Sequence, residues 1–180
     1  ETKGIAVHVE APNVNYTWAS AVGNANTQGK KLTADLPGNI ASNTKTYVAA
    51  AILRLVEIGK INSIQQPITG IISNTSEQQL RQAGYDVDHI TITHLATNTS
   101  GIYDYVNTDQ FQGFTLTNLN HKWTRDEQIA LAMSAGKPRW APGARFEYCE
   151  TGFLLLTEII EHYTQKPFHT AIRELLKFDQ

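Results

Sequence analysis

Two Ser-x-x-Lys quartets stand out as places where a hydroxyl and an amine could share a proton: Ser42-Asn43-Thr44-Lys45 and Ser134-Ala135-Gly136-Lys137. At average residue frequencies roughly one such match is expected in a chain of this length, so context must choose between them. Residues three apart on a helix are neighbours, at about 5–6 Å between Cβ atoms. Ser42 falls where a strongly helical stretch begins, so Lys45 would reach its hydroxyl. A helix start also offers unpaired N–H groups and a partial positive charge, both suited to an oxyanion. The chemistry would be acyl transfer, with the serine oxygen attacking a carbonyl and the lysine taking its proton. An ordinary lysine, with pKa about 10.4, is protonated at pH 7. Lowering it by about 3 units costs about 4 kcal/mol, which burial beside a core can impose. Ser134 instead falls at a helix end, with Gly136 inside the quartet and Pro138 just after it, so no turn holds Lys137 over it. The Ser42 quartet is the candidate; it also fits a plain N-cap serine followed by a solvated lysine.

The element that must position this pair is the strongest helix in the sequence, residues 40–59. Ser42 and Asn43 are N-cap types and Gly59 suits the position after the helix. Its body is apolar nearly all round, apart from Arg54 and Glu57, which predicts a helix buried in a core. Upstream, residues 4–11 alternate with Ile5, Val7 and Val9 on one face, and residues 12–15 carry turn chemistry. Residues 16–22 read as a second strand closed by Gly23, making a hairpin. Downstream, helices are predicted near 76–83, 91–97, 124–135, 152–163 and 167–177, with a capping box at Thr124 and Glu127. Residues 145–148 read as extended. A two-stranded hairpin is marginal alone in water, so two strands beside five or six helices read as an α+β fold whose sheet wants more strands.

Composition narrows the function classes. Apolar residues make up 41% and charged residues 18%, as in globular proteins. A net charge of −2 leaves no basic footprint for nucleic acid. No apolar run approaches the roughly 18 residues that a membrane span needs. The single Cys149 rules out an internal disulfide, and no histidine is spaced to activate it, so it reads as a small buried residue. The six histidines fall in no zinc frame and no glycine-rich loop precedes a helix, so no metal or other cofactor is expected. Low charge, abundant Thr, Asn and Gln, and sequons at Asn15, Asn74 and Asn98 lean toward an exported protein, periplasmic or extracellular.

The stretch from Ile40 through Ser42-Asn-Thr-Lys45 to Ile61 resembles the nucleophile helix of the beta-lactamase-related serine hydrolases. That family includes class C beta-lactamases, D-alanyl-D-alanine carboxypeptidases, D-aminopeptidases and related esterases. Four more segments follow the family's order: the hairpin, the stretch from Ile90 through His94 and Asn98 to Ile102, the stretch from Trp140 through Pro142 and Arg145 to Tyr148, and the helix after Thr151. The carboxypeptidase branch looks nearest, through Gly101-Ile-Tyr-Asp-Tyr105. The resemblance implies a penicillin-binding α+β fold, an α/β sandwich of the beta-lactamase/transpeptidase type. Residues 1–180 would be a single, incomplete domain holding the hairpin and helical region, with the C-terminal strands absent.

The resemblance also implies roles. Ser42 would be the nucleophile, and Lys45 and Tyr148 would handle the proton. Tyr148-Cys149-Glu150 aligns with the family's Tyr-x-Asn, whose asparagine binds the substrate amide. Glu150 takes that substrate-binding position but departs from the pattern: an ionised carboxylate accepts hydrogen bonds and cannot donate them, and beside Lys45 it would raise the lysine pKa. The third motif, a Lys/His-Thr/Ser-Gly triplet, has no counterpart. The implied partners are a small-molecule or peptide substrate, and a complementary C-terminal polypeptide or strand-sharing oligomer. Three outcomes stay open: a working hydrolase, a non-catalytic binding member of the same fold, or an inactive piece of an active parent.

Overall fold

The computed structural model describes residues 4–118 and 120–178. The chain divides into two compact units, Glu1–Ala41 and Ser42–Gln180. In the first, strands β1 (Gly4–Ala11) and β2 (Tyr16–Gly23) form the expected antiparallel hairpin. The chain reverses through a short 3-10 turn, Pro12–Val14, closed by Asn15 in the left-handed conformation, which asparagine tolerates. The register pairs Ile5 with Val22, Val7 with Ser20 and Val9 with Trp18, gathering the apolar side chains on one face. That face was expected to be half-buried; instead Ile5 is 54% and Val22 69% exposed.

The second unit is helical among the described residues: α1 (Thr44–Glu57), α2 (Asn74–Gln82), α3 (Ile92–Ala96), α4 (Asp109–Thr117), α5 (Arg125–Ala135), α6 (Glu150–Thr164) and α7 (Phe168–Leu176). Helix α6 is the axis of the core. Leu155, Leu156, Ile159 and Ile160 are fully buried, and α1, α3, α5 and α7 all pack against it. Helix α1 buries Val48, Ala51, Ile52 and Leu55, the i, i+3, i+4, i+7 stripe of an amphipathic helix. The expectation that it is buried all round is therefore corrected, since Leu53 on the opposite side is 58% exposed. Its run of alanines had hidden which face turns inward.

Other boundaries moved for local reasons. Helix α6 begins at Glu150, two residues before the predicted start, because Cys149 is extended and occupies the N-cap. Helix α4 was not predicted; Thr108 caps it by accepting from the Phe111 N–H, and Phe111 packs edge-on against Tyr105 at 4.9 Å. The capping box of α5 forms as predicted, Thr124 and Glu127 each accepting from the other's backbone N–H. Glu158, buried on α6, accepts from the Ser73 N–H at 2.9 Å and the Ser76 hydroxyl at 2.8 Å, tying α6 to the start of α2.

Candidate active site

Ser42 lies in a 3-10 turn, Ala41–Asn43, that leads directly into α1. Ala41 just before it is held at φ 46, a left-handed conformation that costs a residue with a Cβ roughly 1–2 kcal/mol. Such strain persists only where the surroundings fix it, and it clusters at functional sites. Ser42 does not cap the helix as the sequence suggested. The N-cap position belongs to Asn43, which makes no side-chain capping bond. The Ser42 hydroxyl is thus left to side chains: it accepts from Lys45 Nζ at 3.3 Å, shares a 2.8 Å hydrogen bond with the Tyr148 hydroxyl, and faces Glu150 Oε1 at 3.4 Å.

Tyr148 is delivered by an extended segment rather than a strand. Its neighbours on either side are both bonded to Asn98: the Glu147 N–H donates to the Asn98 carbonyl at 2.9 Å and the Cys149 N–H to Asn98 Oδ1 at 3.1 Å. Asn98 makes both bonds from the left-handed region, at φ 57. A further bond from the Gly143 N–H to the Thr99 carbonyl, 2.8 Å, continues this rail. Tyr148 itself stays 44% exposed, so its hydroxyl meets Ser42 at the surface rather than in the core.

Glu150, the first residue of α6, closes the cluster. Its Oε2 ion-pairs with Lys45 Nζ and its Oε1 accepts from the Tyr148 hydroxyl at 2.9 Å. The ammonium also stands 5.0 Å from the centre of the Tyr148 ring and 5.5 Å from that of Phe153, within cation–π range. Burial is the largest single influence on Lys45 and pulls its pKa down. Hydrogen bonding to Glu150 and Tyr148, with the charge of Glu150, outweighs it and holds Lys45 above its ordinary value of 10.5. Burial alone would favour the neutral lysine that the sequence allowed for; the ion pair with Glu150 works against it, in the direction expected of that carboxylate.

The structure brings all four candidate residues, Ser42, Lys45, Tyr148 and Glu150, into one hydrogen-bonded group. It does not do so for the second quartet, where the Ser134 hydroxyl donates to the Leu131 carbonyl at 3.0 Å on the last turn of α5. Cys149 is buried and its thiol is pushed up to about 12, mainly by burial. Two positioning residues escaped sequence reasoning. Asn98 was noticed as a sequon and as part of the matching stretch 90–102, with no role given to it, yet its side chain accepts from the Cys149 amide. Asp104 is buried; burial pushes its carboxyl up, opposed by backbone N–H groups of Glu150, Val106 and Thr151, so it braces the start of α6. A buried aspartate leaves no periodic signal, so only the match around residues 101–105 pointed to it.

The beta-lactamase family profile matches residues 2–176. Among curated proteins, Protein flp of Staphylococcus aureus strain MW2 is 28% identical over 138 residues, covering 75% of this chain and 25% of that protein. A D-stereospecific amidohydrolase from a Streptomyces species superposes with TM-score 0.71 at 27% identity, over 95% of this chain and 46% of that one. A penicillin-binding protein from Bacillus halodurans gives TM-score 0.71 at 25% identity, over 95% and 47% of the two chains. The D-amino acid amidase of Ochrobactrum anthropi SV3 shares the fold, with TM-score 0.75 at 23% identity over 96% and 44%. The chain thus spans under half the length of these solved relatives and a quarter of that curated one.

Proposed function

Because the chain belongs to the beta-lactamase family, we propose that it carries the nucleophile of a serine hydrolase that works through an acyl-enzyme. The observation that carries this reading is the Tyr148 hydroxyl 2.8 Å from Ser42 Oγ, brought across 106 positions of sequence to a serine that caps nothing. In this reading Ser42 Oγ bonds to the carbonyl carbon of an amide or ester, and backbone N–H groups at the entry to α1 face the developing oxyanion. Tyr148, bridging Ser42 and Glu150, passes a proton toward the leaving nitrogen or oxygen. Water then releases the acid and restores Ser42.

The substrate class is an amide or ester with a D-amino-acid character, or a beta-lactam. Support comes from the amidohydrolase and the penicillin-binding protein above, each at least 25% identical to this chain. The exposed apolar face of the hairpin supports a companion reading, that further strands complete the sheet and the substrate wall in the working protein. A specific observation favours a second reading, a non-catalytic binding protein: Lys45 is held as a cation by Glu150 and cannot serve as a base in that state.

Covalent labelling decides between them. The whole natural polypeptide carrying these 180 residues is treated with a fluorophosphonate and, separately, a fluorescent penicillin, and the adduct is mapped by mass spectrometry. An adduct on Ser42 that disappears in Ser42→Ala is the expected result. A protein that takes neither probe at any pH is the binding protein.

A further inference from the structure

Resting on the hydrolase reading, we propose that Glu150 is the general base of this site and that Lys45 is its ion-pair partner, the reverse of a lysine-base arrangement. The proposal starts from which groups can receive a proton. Around Ser42 Oγ stand Lys45 Nζ, the Tyr148 hydroxyl and Glu150 Oε1, at 3.3, 2.8 and 3.4 Å. The ammonium has three donors and no lone pair. Burial pulls Lys45 down, but its pairing with Glu150 and Tyr148 outweighs this and holds it above its ordinary value, so it stays protonated at neutral pH. The phenol hydroxyl is donor and acceptor at once. Only the carboxylate is an acceptor and nothing else.

The geometry gives that carboxylate two routes. One is direct, from Ser42 Oγ to Oε1. The other runs through Tyr148, whose hydroxyl lies 2.8 Å from Ser42 Oγ and 2.9 Å from Glu150 Oε1 and can accept from one while donating to the other. Lys45, paired to the other oxygen and set between the rings of Tyr148 and Phe153, fixes the carboxylate and adds a positive field where the oxyanion forms. The charged and titratable groups facing Glu150 are Lys45 from α1, Tyr148 from the extended segment, and Asp104 and Tyr105 from the turn beneath the start of α6. Tyr105 is pushed up to about 12, first by burial and then by the charges of Glu150 and Asp104, so it takes no part in transfer at neutral pH.

The proton count closes. In acylation the Ser42 O–H bond breaks, Oγ bonds to the carbonyl carbon, and the proton rests on Glu150. Collapse breaks the bond to the leaving nitrogen or oxygen, which takes that proton back through Tyr148. In deacylation water gives its proton to Glu150 and its oxygen to the acyl carbon. The carbon–Oγ bond then breaks, and Ser42 recovers the proton.

The test is the rate of Ser42 labelling by a fluorophosphonate between pH 4 and 11, using the whole natural polypeptide and its Glu150→Gln, Glu150→Asn and Glu150→Asp variants. The wild type is expected to show a rise in rate at the acid end of this range, followed by a plateau that holds past pH 9. Glu150→Gln and Glu150→Asn are expected to lose that rise and slow labelling by roughly 10²–10⁴-fold. Glu150→Asp keeps the charge that pairs with Lys45, so it is expected to fold and retain the rise at a lower rate. Glu150→Asn labelling Ser42 as fast as wild type, or a wild-type rate still climbing past pH 9, overturns the role of Glu150 while leaving the hydrolase reading intact. No adduct on Ser42 at any pH removes both.

Discussion

Replacing Asn98 with alanine removes two things at once, and the structure allows each to be weighed. The backbone there sits at φ 57, where an alanine Cβ costs roughly 1–2 kcal/mol. The side-chain carbonyl accepts from the N–H of Cys149, a buried residue, and leaving such a donor without a partner costs roughly 1–3 kcal/mol. Asn98→Ala is therefore expected to destabilise the fold by roughly 2–5 kcal/mol. Asn98→Gly relieves the backbone but still strands the amide, for roughly 1–3 kcal/mol. Asn98→Asp keeps both the acceptor and a tolerance for that conformation, and is expected within about 1 kcal/mol of wild type. Urea unfolding followed by tryptophan fluorescence measures all three. Because the amides flanking Tyr148 are both held by Asn98, fluorophosphonate labelling of Ser42 should also slow in folded Asn98→Ala, by roughly 10–100-fold. An alanine variant within 0.5 kcal/mol of wild type, or one no less stable than the glycine variant, would refute the reasoning.

Three further outcomes follow from the same structure. Glu158→Gln loses the charge that receives the Ser73 amide and Ser76 hydroxyl and faces Arg125 Nε at 3.5 Å. A loss of roughly 2–4 kcal/mol is expected in chemical denaturation, and a change under 0.5 kcal/mol contradicts the link between α6 and α2. Cys149, pushed from 9.0 to about 12, should react with a thiol reagent about 1,000-fold more slowly in native buffer than an unshifted thiol; fast native modification would show the core open there. Gly101→Ala forces a Cβ to 2.5 Å from the Trp140 carbonyl at φ 74, so a drop of about 2 kcal/mol or more is expected in the same unfolding assay. An unchanged midpoint would mean that the rail beside residues 98–101 is not packed as described.

Much of the frame was legible because it is local. The hairpin announces itself by alternation and a turn, and α5 by its capping box, since both signals lie within a few residues of each other. The face of α1 was not legible, because alanines at 49–51 satisfy an inward and an outward position equally well. The start of α6 was missed because it depends on Cys149 being extended, which depends in turn on Asn98, 51 positions away. At the site, spacing alone placed Lys45 near Ser42. Tyr148 and Glu150 entered only through resemblance, since nothing between residues 45 and 148 encodes their meeting locally. The consequence of Glu150 was half visible: chemistry foretold that it would raise Lys45, while its reach toward Ser42 emerges only in the folded chain.

The central claim is that Ser42 becomes covalently acylated by its own substrate class. The direct measurement is rapid-quench intact-mass spectrometry of the whole natural polypeptide mixed with a D-amino-acid ester, followed by fragmentation to locate any added acyl group. The account predicts a transient mass gain equal to the acyl group, mapped to Ser42 and absent from Ser42→Ala. Hydrolysis of the ester without that intermediate, or an acyl group carried on any other residue, would contradict it.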